Sequence, residues 1–229
     1  MPLHPADFLI QHVLYKDSLI LVINKPAGMP VHAGPGGGEN LEQYFEALRF
    51  GIQPTPGLAH RLDRDTSGCL ILGRHHKGLS KIGKLFMNRQ ISKTYWAILE
   101  GCPAEMSGRI DLPLSKQTED KSCWWMKGDP EHGQAAVTEY KVLGLNGHQC
   151  WVEFTPLTGR THQLRVHAAS LGCPIVGDKV YGTANGECLL LHARTITIPL
   201  YSNEEPIQVT APPPDHMLKL LADCGYLAG

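Results

Sequence analysis

No apolar run in this chain approaches the roughly 20 residues that a membrane-crossing helix needs. The longest, LILVI (19–23) and CLLL (188–191), are far shorter, and the N-terminal MPLHPADF has neither the basic start nor the apolar stretch of a secretory leader. Paired cysteine motifs are also missing. The seven cysteines, at 69, 102, 123, 150, 173, 188 and 224, are odd in number and form no CxxC, which argues against a disulfide framework and a thiolate metal site. They read as small apolar residues of a cytosolic, and hence cytoplasmic, protein. Nor does one sign of charge dominate: 21 Lys and Arg against 22 Asp and Glu leave a net charge of −1, which alone does not favour a polyanionic partner. The glycine cluster GPGGG (34–38) is not GxxxxGK[ST], so a phosphate-cradling loop is not expected there. Twelve histidines are present, but His75 and His76 are adjacent and His162 and His167 are five apart, unlike the paired ligands of a zinc helix. No metal is expected.

What remains is ordinary globular composition, 42% hydrophobic and 19% charged, in a chain of 229 residues. The basic residues are unevenly spread. Between His60 and Trp96 lie Arg61, Arg64, Arg74, Lys77, Lys81, Lys84, Arg89 and Lys93, against only Asp63 and Asp65. Within HHKGLSKIGKLFMNRQ (75–90), Leu79, Ile82 and Phe86 recur at helical spacing, with Lys77, Lys81, Lys84 and Asn88 on another side. Such a helix can dock on a core and turn a basic stripe to phosphates. It can equally be a solvated face.

Periodicity along the chain predicts an α+β fold. LILVINKP reads as a strand, and LEQYFEALRF as a helix with Asn40 as its cap. CLILGR, KTYWAILEG, RIDLPL, AAVTEYKVLGL and HQCWVEFTPL read as strands. In the last, Cys150, Val152 and Phe154 alternate with Trp151, Glu153 and Thr155. TGRTHQLRVHAASLG (158–172) reads as a helix with Leu164, Ala168 and Leu171 on its apolar face and Gly172 as its stop. LLLHARTITIP closes a large, mostly antiparallel sheet, and the Pro-rich APPPDH precedes a terminal helix.

The chemistry-bearing stretches are HRLDRDTSG (60–68), a charged loop before a buried strand, and TGRTHQLRVH (158–167), which puts Arg160, His162 and Arg165 at the start of a helix. Asp63 and Asp65 sit in one short loop about 7 Å apart if extended, a poor arrangement for carboxylates that must flank a glycosidic bond. With NKPAGMPVH (24–32), KTYWAILEG (93–101), GCPIVGDKVYG (172–182) and LLLHA (189–193), these stretches resemble, in order and over most of the chain, the RluA-type family of RNA pseudouridine synthases. Cys69 and Cys173 depart from the residues usual in that family, outside the expected chemistry.

The resemblance implies the pseudouridine synthase fold, a mixed, mostly antiparallel sheet with flanking helices and a central RNA-binding cleft. It implies a cofactor-free isomerase that breaks the C1′–N1 bond of a uridine in ribosomal or transfer RNA, turns the base and rejoins it through C5. Asp63 is then the catalytic carboxylate, attacking C1′ or removing the C2′ proton. Arg165 is its matched cation, and Tyr95 the ring that stacks on the flipped uracil. Arg61, Arg160 and His162 are expected at phosphates or displaced nucleotides, and Lys77, Lys81 and Lys84 along the RNA backbone. Asp65 is expected to do surface or loop-capping work. Lys25 and His32 are expected to be structural, in a turn set by Pro26, Gly28 and Pro30. The chain is expected to be one catalytic domain, 1–229, without an N-terminal S4-type domain, and monomeric. An RNA binder without turnover is the alternative from another class, and it would have little use for a carboxylate aimed at a polyanion.

Overall fold

The computed structural model describes residues 5–34, 37–118, 124–183 and 188–227. In chain order the elements are α1 (Pro5–Gln11), β1 (Val13–Lys16), β2 (Ile20–Lys25), a 3-10 segment (Leu41–Leu48), β3 (Gly57–Leu58), β4 (Ser67–Gly73), α2 (His76–Met87), β5 (Ser92–Glu100), β6 (Ser107–Asp111), β7 (Leu114–Lys116), β8 (Met126–Gly128), β9 (Val137–Leu145), β10 (Gln149–Pro156), α3 (Gln163–Ser170), β11 (Leu191–Ile198), β12 (Ile207–Thr210) and α4 (Asp215–Asp223). They fall into two compact units, Met1–Lys93 with Ala193–Pro212, and Thr94–His192 with Pro213–Gly229.

In the first unit the strand order is β1-β2-β4-β11, with β12 beside β11 and β3 beside β4. The pairs β1/β2, β2/β4, β3/β4 and β11/β12 are antiparallel. Ile20, Val22, Cys69 and Ile71 share a core with Ile82 of α2 and with Ile196, Ile198 and Val209. Leu21, Ile23, Leu70 and Leu72, the alternate residues, are also fully buried. Burial on both faces is why β2 and β4 read as unbroken apolar runs. At about 1.5–3 kcal/mol for each such side chain, this sandwiching is a main source of the unit's stability.

The segment 41–48 buries Leu41, Phe45 and Leu48 as a helical pattern should, but winds as a 3-10 helix. Asn40 does not cap it. Its backbone is extended, and its side-chain amide donates to the carbonyl of Gly38 instead.

The second unit orders its strands β5-β10-β9-β6, and the registered pairs are antiparallel. Cys150, Val152 and Phe154 pack in one core with Leu164 and Ala168 of α3, as the alternation requires. The opposite face is covered as well: Trp96 and Trp151 meet edge to face at 4.7 Å, and Met217 and Leu221 of α4 close over them. RIDLPL divides at Pro113, which cannot donate to a ladder. The residues before it end β6, and those after it open a separate hairpin, β7 with β8.

Helix α3 is shorter than its sequence suggests. Residues 158–160 are irregular, 161–162 form a turn, and His162 stands before the helix in a left-handed conformation (φ 52°, ψ 17°). The cause is Gln163. Its Oε1 accepts from the Arg160 N–H at 2.9 Å and the Thr158 hydroxyl at 2.7 Å, so the turn is fastened by a side chain rather than by helical bonds.

Candidate active site and nucleic-acid interface

The residues singled out from sequence divide between the units. Arg61, Asp63, Lys77, Lys81 and Lys84 lie in the first; Tyr95, Arg160, His162 and Arg165 lie in the second.

Asp63 sits in the loop before β4. That loop is fixed from below by Lys25, fully buried at the end of β2. The Lys25 Nζ donates to the carbonyls of Pro26, Met29 and Arg64, each at 2.8 Å. Burial pulls this ammonium from 10.5 down to about 7, with the charges of Asp65 and Asp63 working in the other direction. Three carbonyl acceptors use three N–H bonds, one more than a neutral amine has, so the contacts are those of the charged form. Arg64 Nε adds a bond to the Gly28 carbonyl at 3.0 Å, and the Thr66 N–H returns to the carbonyl of Asp63 at 3.2 Å.

At Gly68 the chain enters β4 with φ +106°, and a Cβ there would lie 2.2 Å from the Ala193 carbonyl oxygen. Only glycine allows this approach. His60 at the loop's start accepts the Ile71 N–H at 2.9 Å, and burial, helped by the charge of Lys93, lowers its ring to about 3. It is a neutral fastening. Every one of these bonds uses backbone or a side chain other than that of Asp63. Among the described residues of this unit, no hydrogen bond or ion pair engages the half-buried Asp63 carboxylate. Asp65, by contrast, is exposed and 3.8 Å from Arg64. Arg61 is exposed, as is His32.

In the second unit the turn before α3 is woven by side chains. Gln163 Nε2 donates to the Val137 carbonyl and Thr138 Oγ1, both at 3.0 Å. Thr138 Oγ1 lies 2.9 Å from His167 Nδ1, and His167 Nε2 donates to the Leu112 carbonyl at 3.0 Å. Burial holds His167 below the ordinary histidine range, so it too is structural. Arg160 spends its Nε on the Ala135 carbonyl at 3.0 Å.

Arg165 is buried and pairs in two-pronged fashion with Asp178, Nε to Oδ2 and Nη2 to Oδ1, both at 2.7 Å. Asp178 is 1% exposed. Burial pushes its carboxyl up, but the bonds and charge of Arg165, with the N–H groups of Val180 and Tyr181, outweigh this and hold it below the usual carboxylate range. The Tyr181 ring lies 5.1 Å from the Arg165 guanidinium carbon, and its hydroxyl is 2.8 Å from His162 Nδ1. His162 and Arg165 thus converge on one tyrosine. Tyr95, in β5 opposite Phe154, is half-buried at the edge of the Cys150–Val152–Phe154 core.

A family model described as RNA pseudouridylate synthase matches residues 19–170, which takes in the Asp63 loop, Tyr95 and the start of α3. The chain belongs to the RluA-type family of RNA pseudouridine synthases. It is 44% identical to an RNA pseudouridine synthase of Zymomonas mobilis subsp. mobilis, over 95% of this chain and 99% of that protein. It is 33% identical to a ribosomal large subunit pseudouridine synthase C of Rickettsia conorii, over 88% and 68%. In three dimensions it resembles the human RNA pseudouridylate synthase domain containing 4, with a TM-score of 0.79 at 29% identity, over 96% of this chain and 95% of that one.

As an RNA pseudouridine synthase the chain is an isomerase acting on uridine in RNA. Asp178 and Tyr181 escaped the sequence reading, although GCPIVGDKVYG was among the matched stretches. The available signal was a carboxylate set in apolar surroundings, which is rarely tolerated without a cation. The synthase's basic helix α2 stands as its spacing predicts. Ile82 is fully buried, Lys77 and Lys84 are exposed, and Lys81 lies 4.8 Å over the ring of Tyr201.

Proposed function

We propose that this synthase uses Asp63 as its catalytic carboxylate on a uridine of ribosomal or transfer RNA. The observation that carries the reading is the contrast inside one loop. The backbone around Asp63 is fastened by Lys25 and Thr66, while among the described residues of its unit no hydrogen bond or ion pair holds the carboxylate itself. A carboxylate presented on a preorganised loop suits attack on a sugar carbon or removal of a sugar proton. The target uridine must leave its stack, at a cost of a few kcal/mol. Stacking on Tyr95, whose role comes from its motif match, would return about 1–3 kcal/mol. The C1′–N1 bond breaks, C1′–C5 forms, the C5 proton is lost to solvent and N1 gains one.

Arg165 is assigned the neutralising role by the same match, with Asp178 fixing the plane of its guanidinium. Arg61, Arg160 and His162 are assigned to flanking phosphates. The Rickettsia relative, a ribosomal large subunit synthase, favours ribosomal RNA as the first substrate to try. A cytoplasmic monomer completes the proposal. The free cysteines among the described residues, of which Cys69, Cys150, Cys173 and Cys224 are buried, support the compartment, and the monomer is proposed without a structural observation behind it. Fractionation and sedimentation test that part.

The main test uses unmodified ribosomal and transfer RNA transcripts tritiated at C5 of uridine. The wild-type protein should release tritium to water, and Asp63→Asn should lower release by on the order of 10³-fold or more while binding RNA equally well. Release undiminished in Asp63→Asn would remove Asp63 from the chemistry.

A further inference from the structure

The hairpin of β7 and β8 carries two large half-exposed rings that the proposed chemistry does not use, Trp124 at 46% and Trp125 at 49%. Its register sets Leu114 opposite Gly128, Ser115 opposite Lys127 and Lys116 opposite Met126, and the Gln117 N–H donates to the carbonyl of Trp125. Alternation then puts Leu114, Lys116, Trp124 and Met126 on one face of the hairpin, with Ser115, Trp125 and Lys127 on the other. The contacts agree. Leu114 and Met126 pack with Ala136, Val166 and Tyr181, and the Lys116 Nζ lies 4.8 Å over the Trp124 ring. The face that rests on α3 at its base is therefore continued outward by Lys116 and Trp124.

A second observation ties this face to the site. The Tyr181 hydroxyl accepts the Met126 N–H at 2.7 Å while lying 2.8 Å from His162 Nδ1, and the Tyr181 ring faces Arg165. The residue two positions from Trp124 is thus bonded to the same tyrosine that gathers His162 and Arg165. Two residues of strand span roughly 7 Å, about one nucleotide step.

We infer that Trp124 and Lys116 form a stacking platform for an unpaired nucleotide of the RNA, next to the one that is modified. The indole takes the base, and Lys116, over the Trp124 ring, supplies the positive charge that a phosphate requires. This rests on the RNA synthase reading above and adds a substrate contact to it. A second copy of the chain is the weaker occupant. Burying one tryptophan covers roughly 250 Å², well short of the ~800 Å² per partner typical of a stable dimer.

The test compares Trp124→Ala, Trp124→Phe and Trp125→Ala with wild type, measuring Kd for the RNA by anisotropy and kcat and KM by tritium release. Trp124→Ala should raise Kd and KM by roughly 5- to 100-fold with kcat within about 2-fold, and Trp124→Phe should recover most of the loss. Trp125→Ala, on the other face, should change Kd by less than about 2-fold. Unchanged Kd and KM in Trp124→Ala, on an RNA that the wild type modifies, would overturn the platform. So would a wild-type dimer that Trp124→Ala turns into a monomer, which would give the face to a second copy. Should the wild type release no tritium from any RNA, the synthase reading fails by itself. Quenching of tryptophan emission by a single-stranded oligonucleotide then decides the platform: loss in Trp124→Ala upholds it, and full quenching there overturns it.

Discussion

Around Asp63 the chain is held by its backbone, with one buried ammonium gathering three carbonyls. Around Arg165 it is held by side chains, Gln163 to Thr158 and Thr138, and Arg165 to Asp178. The two schemes leave different things free. A loop fixed through carbonyls can present a carboxylate without spending it, as an acid or nucleophile requires. A turn fixed through side chains gives each of them a set orientation, as a group meant to position charge requires.

The contrast predicts unequal fragility. Removing Asp178 takes a two-pronged anionic partner from a buried guanidinium, so Asp178→Ala should cost about 3–5 kcal/mol. In a chain of this length that lowers Tm by roughly 10 °C. Calorimetry would check it, and a shift within 2 °C would show that Arg165 is held without Asp178. The same pair sets an acid limit. Because the folded Asp178 titrates below its unfolded value of 3.8, its contribution is fully present above that pH and is lost as pH falls through the folded value. Asp178→Ala should therefore flatten the acid limb of the stability profile.

Lys25 is the weaker dependence in stability and the stronger one in position. Lys25→Met keeps the volume but leaves three carbonyls without donors, at about 1–3 kcal/mol. Tritium release should fall at least roughly tenfold with RNA affinity unchanged, since only the Asp63 loop is loosened. Lys25→Arg should not rescue it, because a planar guanidinium cannot converge on three acceptors arranged around one nitrogen. Equal turnover in Lys25→Met would mean that the loop holds its shape without the ammonium.

Much of this was legible in the sequence, where local pattern and tertiary need coincide. The double-sided burial of β2 and β4 shows as apolar runs, and the split faces of β10 show as alternation at Cys150–Phe154. The amphipathic α2 shows as Leu79, Ile82 and Phe86 against the lysines. What was hidden depends on partners distant in sequence. Lys25 reads as a strand-end lysine, ordinarily a surface residue, because its acceptors include Arg64. Asp178 reads as one more loop carboxylate until Arg165 is brought against it. The short α3 and the uncapped 3-10 segment follow from side-chain choices, Gln163 to the turn and Asn40 to Gly38, that local propensity ranks as equal alternatives.

The smallest expected effect on the fold comes from α2, where neither scheme applies. Lys77 and Lys84 are exposed, and only Lys81 is engaged, over Tyr201. Replacing all three by glutamine should alter stability by no more than about 1 kcal/mol, most of it from the lost contact at Lys81. RNA binding should respond much more. If each lysine neutralises a phosphate, the slope of log K against log salt should fall by about 0.7–0.9 per lysine, with kcat at saturating RNA unaltered. A loss confined to Lys77 and Lys84 would show that Lys81 is held by Tyr201 and not by RNA. An unchanged slope in the triple variant would make α2 a solvated face and shift the phosphate contacts to Arg61, Arg160 and Lys116.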